Sequence, residues 1–303
     1  MNTLRVHAMP EVPTAVTTKD EIALEGILDY AGLFPPADLT MQTAVNNWSA
    51  YLQTEDSWML ARLIIPASRL DEFVQCAKEL LPQSEEEMWQ LSVLLPPASS
   101  DKFEDAVQTT ITFNESDCGA VANVVEFKAN TASEIDTALE ILHDDLFPYI
   151  EVPIDEDPRG LIACLSGAIA GAKVRTGGVT SDLYPSSSTL ARFIHSCAVA
   201  GQAFKATAGL HHPSRNKNES IDVAEYGFLS VLQASAAVST RDASVEEVEQ
   251  ILLCDTPDLS LFSETELEQV RAELFNSLGS CSFDGPRTDL RTMGLLKESK
   301  KND

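Results

Sequence analysis

Residues 172–209 read AKVRTGGVTSDLYPSSSTLARFIHSCAVAGQAFKATAG, two short runs of strand character, Ala172–Thr176 and Phe204–Ala208, separated by a longer segment of helical period. A short apolar run, a helical stretch and a second short run make up a βαβ unit, which implies parallel strands. Working outward, the same unit recurs at Ile27–Ala31, Ala61–Pro66, Gln90–Pro96, Ala120–Lys128 and Tyr149–Ile154, with strand starts 23 to 34 residues apart. Regular spacing of this kind predicts a (β/α)8 barrel, an α/β fold with its active site at the C-terminal strand ends. The eighth strand is expected at Ser280–Phe283; without it the sheet would stay open and doubly wound.

The connecting segments carry helix start signals. Thr131-x-x-Glu134 and Ser244-x-x-Glu247 are capping boxes, and the first leads into the stripe Ile135, Ala138, Leu139, Leu142. After strand seven the repeat breaks into extra C-terminal helices near 219–239, 244–253 and 263–277, where Phe228, Leu229, Leu232 and Ala236 form a packing stripe. Residues 1–26 are expected to be an N-terminal arm, 27–285 a single barrel domain, and 286–303 a C-terminal tail with a short helix near 289–296. At 303 residues, one barrel with extensions accounts for the chain.

Residues two apart on a strand share a face, so the charged positions sort themselves. Glu126 pairs with Lys128 on strand four, Glu151 lies on strand five, Lys173 pairs with Arg175 on strand six, and Lys205 pairs with Thr207 on strand seven. If these faces point inward, four cations and two carboxylates converge on one mouth with a cationic excess. Charges are costly to bury, which argues for a functional use over a structural ion lattice. Asp29 ends strand one as a further proton-transfer candidate, and the turns Thr176-Gly177-Gly178 and Ala208-Gly209 let backbone amides approach an anion. His211 and His212 follow strand seven; being consecutive they diverge, so one of them is expected to face the site. His195 lies among apolar residues and reads as core.

The whole chain carries 21 Lys and Arg against 47 Asp and Glu, a net charge of −26, which opposes nucleic acid and anionic membranes as partners. Between Lys173 and Lys217, however, six basic residues face one acidic residue, Asp182, a local balance of +5 that suits a small anionic metabolite. No apolar run is long enough to span a bilayer and no secretory signal pattern opens the chain, so a cytoplasmic location is expected. The six cysteines, Cys76, Cys118, Cys164, Cys197, Cys254 and Cys281, have no metal-ligand spacing and read as reduced thiols. No cofactor is called for, and a homo-oligomer is expected only as the general habit of barrel enzymes.

The pair Lys173-Val-Arg-Thr-Gly-Gly and Lys205-Ala-Thr-Ala-Gly-Leu resembles the class I aldolases of the deoxyribose-phosphate aldolase type, barrels with K-x-x-T-G on strand six and K-A-S-G-G-I on strand seven. The resemblance implies a Schiff base on Lys173, with Lys205 lowering its pKa. It covers two motifs in about 40 residues. Arg175 stands where that family has a small residue, and no glycine-serine phosphate loop follows strand eight. The strings DYAGLFPPA, RTGG and FKATAGLHHP are also similar to those of a group of bacterial proteins, a likeness that implies a family but no activity.

The residues themselves support the same chemistry. A lysine beside other cations loses its proton more easily, and its free amine can attack a carbonyl to give an electron-withdrawing iminium. Lys173, Lys205, Glu126, Glu151 and Asp29 are therefore the catalytic candidates. Lys128, Arg175, Thr176, Gly177, Gly178, Thr207, Gly209, His211 and His212 are the substrate-binding candidates. Two other readings share these residues: a non-covalent or divalent-metal-assisted isomerase or lyase using Glu126 and Glu151, and a barrel that binds a small anion without turning it over.

Overall fold

The computed structural model describes residues 18–84 and 87–297. Strands β1 (Leu28–Tyr30), β2 (Leu60–Pro66), β3 (Trp89–Leu94), β4 (Ala120–Lys128), β5 (Phe147–Glu151), β6 (Gly171–Arg175) and β7 (Phe204–Thr207) match the seven expected runs to within a few residues. With the strand Phe275–Ser280, numbered β10, they close into an eight-stranded parallel barrel in which Phe275–Ser280 joins β7 to β1. The fold is the expected (β/α)8 barrel.

Closure comes from a strand placed upstream of its expected position. Ser280–Phe283 was expected, but pairing ends at Ser280, and the helix expected over 263–277 stops at Glu273. The sequence FNSLGS carries Asn276, Ser277 and Ser280 on a fully buried strand with no regular alternation, so hydrophobicity alone does not reveal it. A second correction concerns 219–239: the helix begins only at Phe228, and Asn216–Asn218 (β8) and Val223–Glu225 (β9) form an antiparallel hairpin ahead of it.

Helices alternate with the strands: α1 (Lys19–Leu24), α2 (Met41–Leu52), α3 (Leu70–Ala77), α4 (Phe103–Glu115), α5 (Ala132–Ile141), α6 (Arg159–Leu165), α7 (Ser187–Ala200), α8 (Phe228–Arg241), α9 (Val245–Leu253), α10 (Glu264–Glu273) and α11 (Asp284–Thr292). Ser244 and Glu247 form a reciprocal capping box at α9. At α5, Thr131 accepts from the Glu134 amide, but Glu134 reaches back to the Asn130 amide and so completes only half a box. Helix α1 lies within the expected arm and buries Ala23 and Leu24; the arm's residues 1–17 lie outside the described residues. Helix α11 straddles the expected boundary at 286. Leu290 is buried, and Arg287 and Arg291 both pair with the buried Asp56, so this part of the expected tail is docked structure. Residues 298–303 of the tail lie outside the described residues. No described helix is long and apolar enough to cross a membrane.

The outer strand faces supply the core. Leu63, Ile65, Leu91, Val93, Val125, Phe127, Ile150, Ala172, Val174 and Ala206 are buried in one apolar cluster with the helices, each large side chain contributing about 1.5–3 kcal/mol. The inner faces are polar instead. Strand register sets Lys128, Glu151, Lys173, Lys205 and Ser277 side by side across five neighbouring strands. Because barrel strands tilt, this ladder climbs from buried Ser277 and Lys205 to exposed Lys128 at the rim.

Candidate active site

Four charged side chains from β1, β4, β6 and β7 meet inside the barrel. Lys205 Nζ donates to Asp29 Oδ2 at 2.5 Å and to Glu126 Oε1 at 2.6 Å. Lys173 Nζ lies 2.9 Å from Glu126 Oε2 and 3.3 Å from Glu151 Oε2. Glu126 thus separates and links the two lysines. Ser92 donates to Glu126 Oε1 at 2.6 Å, and Ser277 donates to Asp29 Oδ2 at 2.7 Å. Beneath them the Tyr149 ring lies 5.5 Å from Lys205 Nζ and forms a floor. Asp29 Oδ1 is buried without a hydrogen-bond partner among the described residues.

The electrostatics differ from the sequence expectation. With Arg175, whose Nε lies 3.4 Å from Glu151 Oε1, the mutually paired side chains number three cations and three carboxylates; with the exposed Lys128 at the rim, the expected cationic excess of two falls to one because Asp29 joins the site. Burial alone would lower the Lys205 pKa, but the facing charges of Asp29 and Glu126 outweigh it and hold the ammonium above its ordinary value. Burial likewise pushes Glu126 up, yet Lys205 and Lys173 bring it well below the usual carboxylate range. Glu151 is also depressed: burial opposes ionisation, and Lys173 and Arg175 overcome it. Glu126 stands between the two lysines and bonds to both.

Exposure separates the lysines. The Lys205 side chain is 0% accessible, whereas Lys173 retains 5% and borders Glu151, whose side chain is 13% accessible. Arg175 is 43% accessible at the rim, near exposed Lys128, and Thr207 sits beside it in register. Gly279 lies beside Thr207 in register, and a Cβ there would touch Ile64 and the Thr207 hydroxyl at 3.4 Å.

The glycine turns pack against each other. A Cβ placed on Gly177 would lie 2.7 Å from the Gly209 Cα, and one on Gly178 would strike Leu183. Gly209 and Ala208 both have positive φ, 75° and 60°, so the chain folds back sharply after β7. Thr176 is fully buried, and its hydroxyl donates to the Ala208 carbonyl, tying the β6 and β7 ends together. A substrate-binding role for the Thr176 hydroxyl is corrected accordingly. These loops are held further by Tyr184, which packs on Gly177 and donates to buried Glu225 at 2.7 Å.

The two histidines diverge, as expected. His211 is half-buried, with Nδ1 3.8 Å from Cys281 Sγ, and burial lowers its pKa. His212 turns to the outer helix α11, its Nδ1 2.6 Å from Asp289 Oδ2, and so leaves the mouth. Ser92, Ser277 and Cys281 are the participants that sequence reasoning missed. Ser277 was hidden by the misplaced eighth strand. Ser92 sits at the inward parity of β3, a signal that inward polar positions on every strand would have revealed. All six cysteines are free thiols. Among the described residues no group of three or more His, Cys, Asp or Glu is disposed to hold a metal ion.

No protein-family model matches the chain, and no curated protein matches it. Among solved structures, a citrate lyase from Burkholderia xenovorans LB400 is similar at 9% identity and a TM-score of 0.43, with 78% of each chain covered. At that distance the likeness adds nothing to the reading of the site.

Proposed function

We propose that this barrel is a lyase of the class I aldolase kind, acting on a small anionic carbonyl compound through a Schiff base on Lys173. The carrying observation is a difference in exposure: both lysines are doubly paired, but the Lys205 side chain is 0% accessible while Lys173 retains 5% beside Glu151, which is 13% accessible. Only the second can meet a carbonyl carbon.

In this reading Lys173 gives up a proton through the Glu126 and Glu151 carboxylates it touches, and the free amine adds to the carbonyl. Loss of water from the carbinolamine leaves an iminium. Cleavage of the adjacent carbon–carbon bond then sends its electron pair to the iminium nitrogen, forming an enamine, while the leaving fragment's hydroxyl proton passes to a base. The unpartnered Asp29 Oδ1 has the acceptor character that base needs. Protonation of the enamine and hydrolysis restore Lys173. Lys205 stays charged throughout and keeps Glu126 ionised. Arg175 and Lys128 at the rim supply attraction for the substrate anion.

The test is deuterium exchange at the α-carbon of small aldehydes, ketones and their phosphates, followed by NMR. Wild type should exchange α-protons of at least one compound and Lys173→Ala should not. Full exchange by Lys173→Ala would overturn the covalent mechanism.

A further inference from the structure

Arg175 and Thr207 lie one layer above the two lysines. Each follows the lysine of its own strand by two positions, so each shares that lysine's face, and the two are Cα partners in register. Two residues of parallel strand rise about 6.6 Å, so this layer is within reach of a small molecule bonded to Lys173 Nζ. Glu151 fixes the spacing further: one of its carboxylate oxygens lies 3.3 Å from Lys173 Nζ and the other 3.4 Å from Arg175 Nε. The amine and the guanidinium thus flank a single carboxylate group.

Donors in this layer remain uncommitted. Arg175 gives Nε to Glu151 and Nη1 to the Gly177 carbonyl at 3.5 Å, a long hydrogen bond, and its Nη2 has no partner among the described residues. Its side chain is 43% accessible, so the guanidinium is open to a ligand. Thr207 is half-buried, its Oγ1 lies 3.4 Å from where a Gly279 Cβ would stand, and its hydroxyl has no hydrogen-bond partner among the described residues. Charge narrows the ligand. Asp29, Glu126 and Glu151 face Lys173, Lys205, Arg175 and the rim residue Lys128, an excess of one cation. One carboxylate balances that excess, whereas a phosphate group, at about −1.5 to −2, oversteps it.

We propose, building on the Schiff-base reading, that the substrate is a small 2-oxo acid. The free amine of Lys173 adds to C2 and water leaves, giving the iminium. The C1 carboxylate, one bond away, takes the open N–H groups of Arg175 and the Thr207 hydroxyl. A guanidinium matches a planar carboxylate, and charge-assisted bonds of this kind are roughly twice as strong as neutral ones. In a phosphorylated ketone the anion stands several bonds from the carbonyl and overshoots this layer.

The test is borohydride trapping of the full chain, titrated separately with pyruvate, hydroxyacetone and dihydroxyacetone phosphate and read by intact mass. Hydride delivered to C2 of the iminium fixes each ligand on Lys173 as a secondary amine. Wild type should half-saturate with pyruvate at a concentration at least about tenfold below that for either other ketone. Arg175→Ala should raise the pyruvate value at least about tenfold more than the hydroxyacetone value, and Thr207→Val should shift selectivity in the same direction. A purely structural role would move both ligands alike. Where Arg175→Ala does not fold, Arg175→Gln is expected to show the same change. Pyruvate trapped no better than hydroxyacetone, preference for the phosphate, or unchanged selectivity in the Arg175 variant overturns the 2-oxo acid and leaves the Lys173 Schiff base standing. No adduct with any of the three, or adducts that survive Lys173→Arg, overturns the Schiff-base reading and the 2-oxo acid with it.

Discussion

Replacing Glu126 by Gln probes the centre of the site while nearly preserving its shape. Glu126 carries both lysines on its two oxygens, at 2.6 and 2.9 Å, and its side chain is 1% accessible. The amide oxygen of Gln can serve one ammonium, but its NH2 group must then face the other. The layer passes from three cations and three carboxylates to a net charge of +1. Removing one member of a buried pair in this way costs about 3–5 kcal/mol. Lys173→Met is milder, about 1.5–3 kcal/mol, because Glu126 retains Lys205 and Glu151 retains Arg175. The double variant should then be less destabilised than the sum of the two, since Gln in place of Glu126 no longer confronts two ammonium groups. A coupling of at least about 1 kcal/mol is expected. Urea unfolding at pH 7 of the four proteins, compared through midpoints at common slope, supplies all these numbers. Strict additivity, or a Glu126→Gln cost below about 1 kcal/mol, would refute the reasoning, because it would mean that the three charges are solvated independently.

Stability should fall as the pH drops below about 4.3, the ordinary glutamate value, because Glu126 and Glu151 are depressed in the fold and must be protonated there. Lys205, raised in the fold, contributes stability present below about pH 10.4 and lost above it, so pH-dependent unfolding in Lys205→Met should lack that alkaline component. Thr176→Val should cost about 1–3 kcal/mol of stability by removing the hydroxyl that pairs with the part-buried Ala208 carbonyl, yet leave KM for any identified substrate unchanged, a split that steady-state kinetics would read. Arg175→Ala should raise KM for an anionic carbonyl with little change in kcat, since its guanidinium sits at the rim; an equal fall in kcat would place it in the chemistry instead.

Much of the barrel could be read from local sequence because its outer strand faces are apolar and evenly spaced. The two-residue repeat alone put Glu126 with Lys128, Lys173 with Arg175 and Lys205 with Thr207 on shared faces and left open whether those faces point inward; Glu126, Lys173 and Lys205 do meet inside the barrel. Their partners could not be assigned the same way. Which carboxylate stands between two lysines depends on barrel tilt and register, and these connect Glu126 on β4 to Lys205 on β7 across residues far apart in sequence. The eighth strand escaped because its interior positions are Asn276 and Ser277, chosen for hydrogen bonds inside the barrel rather than for hydrophobicity. The glycine turns illustrate a different limit. Gly177 and Gly209 do permit close approach, but the approaching group is the other loop, a fact that only the three-dimensional packing supplies.

The most direct test of the account is borohydride trapping with a panel of small aldehydes, ketones and their phosphates, read by intact mass and peptide mapping in wild type, Lys173→Arg and Lys205→Arg. The account predicts a single adduct in wild type, mapped to Lys173 and absent from Lys173→Arg. An adduct on Lys205, one that survives Lys173→Arg, or none across the panel would contradict it.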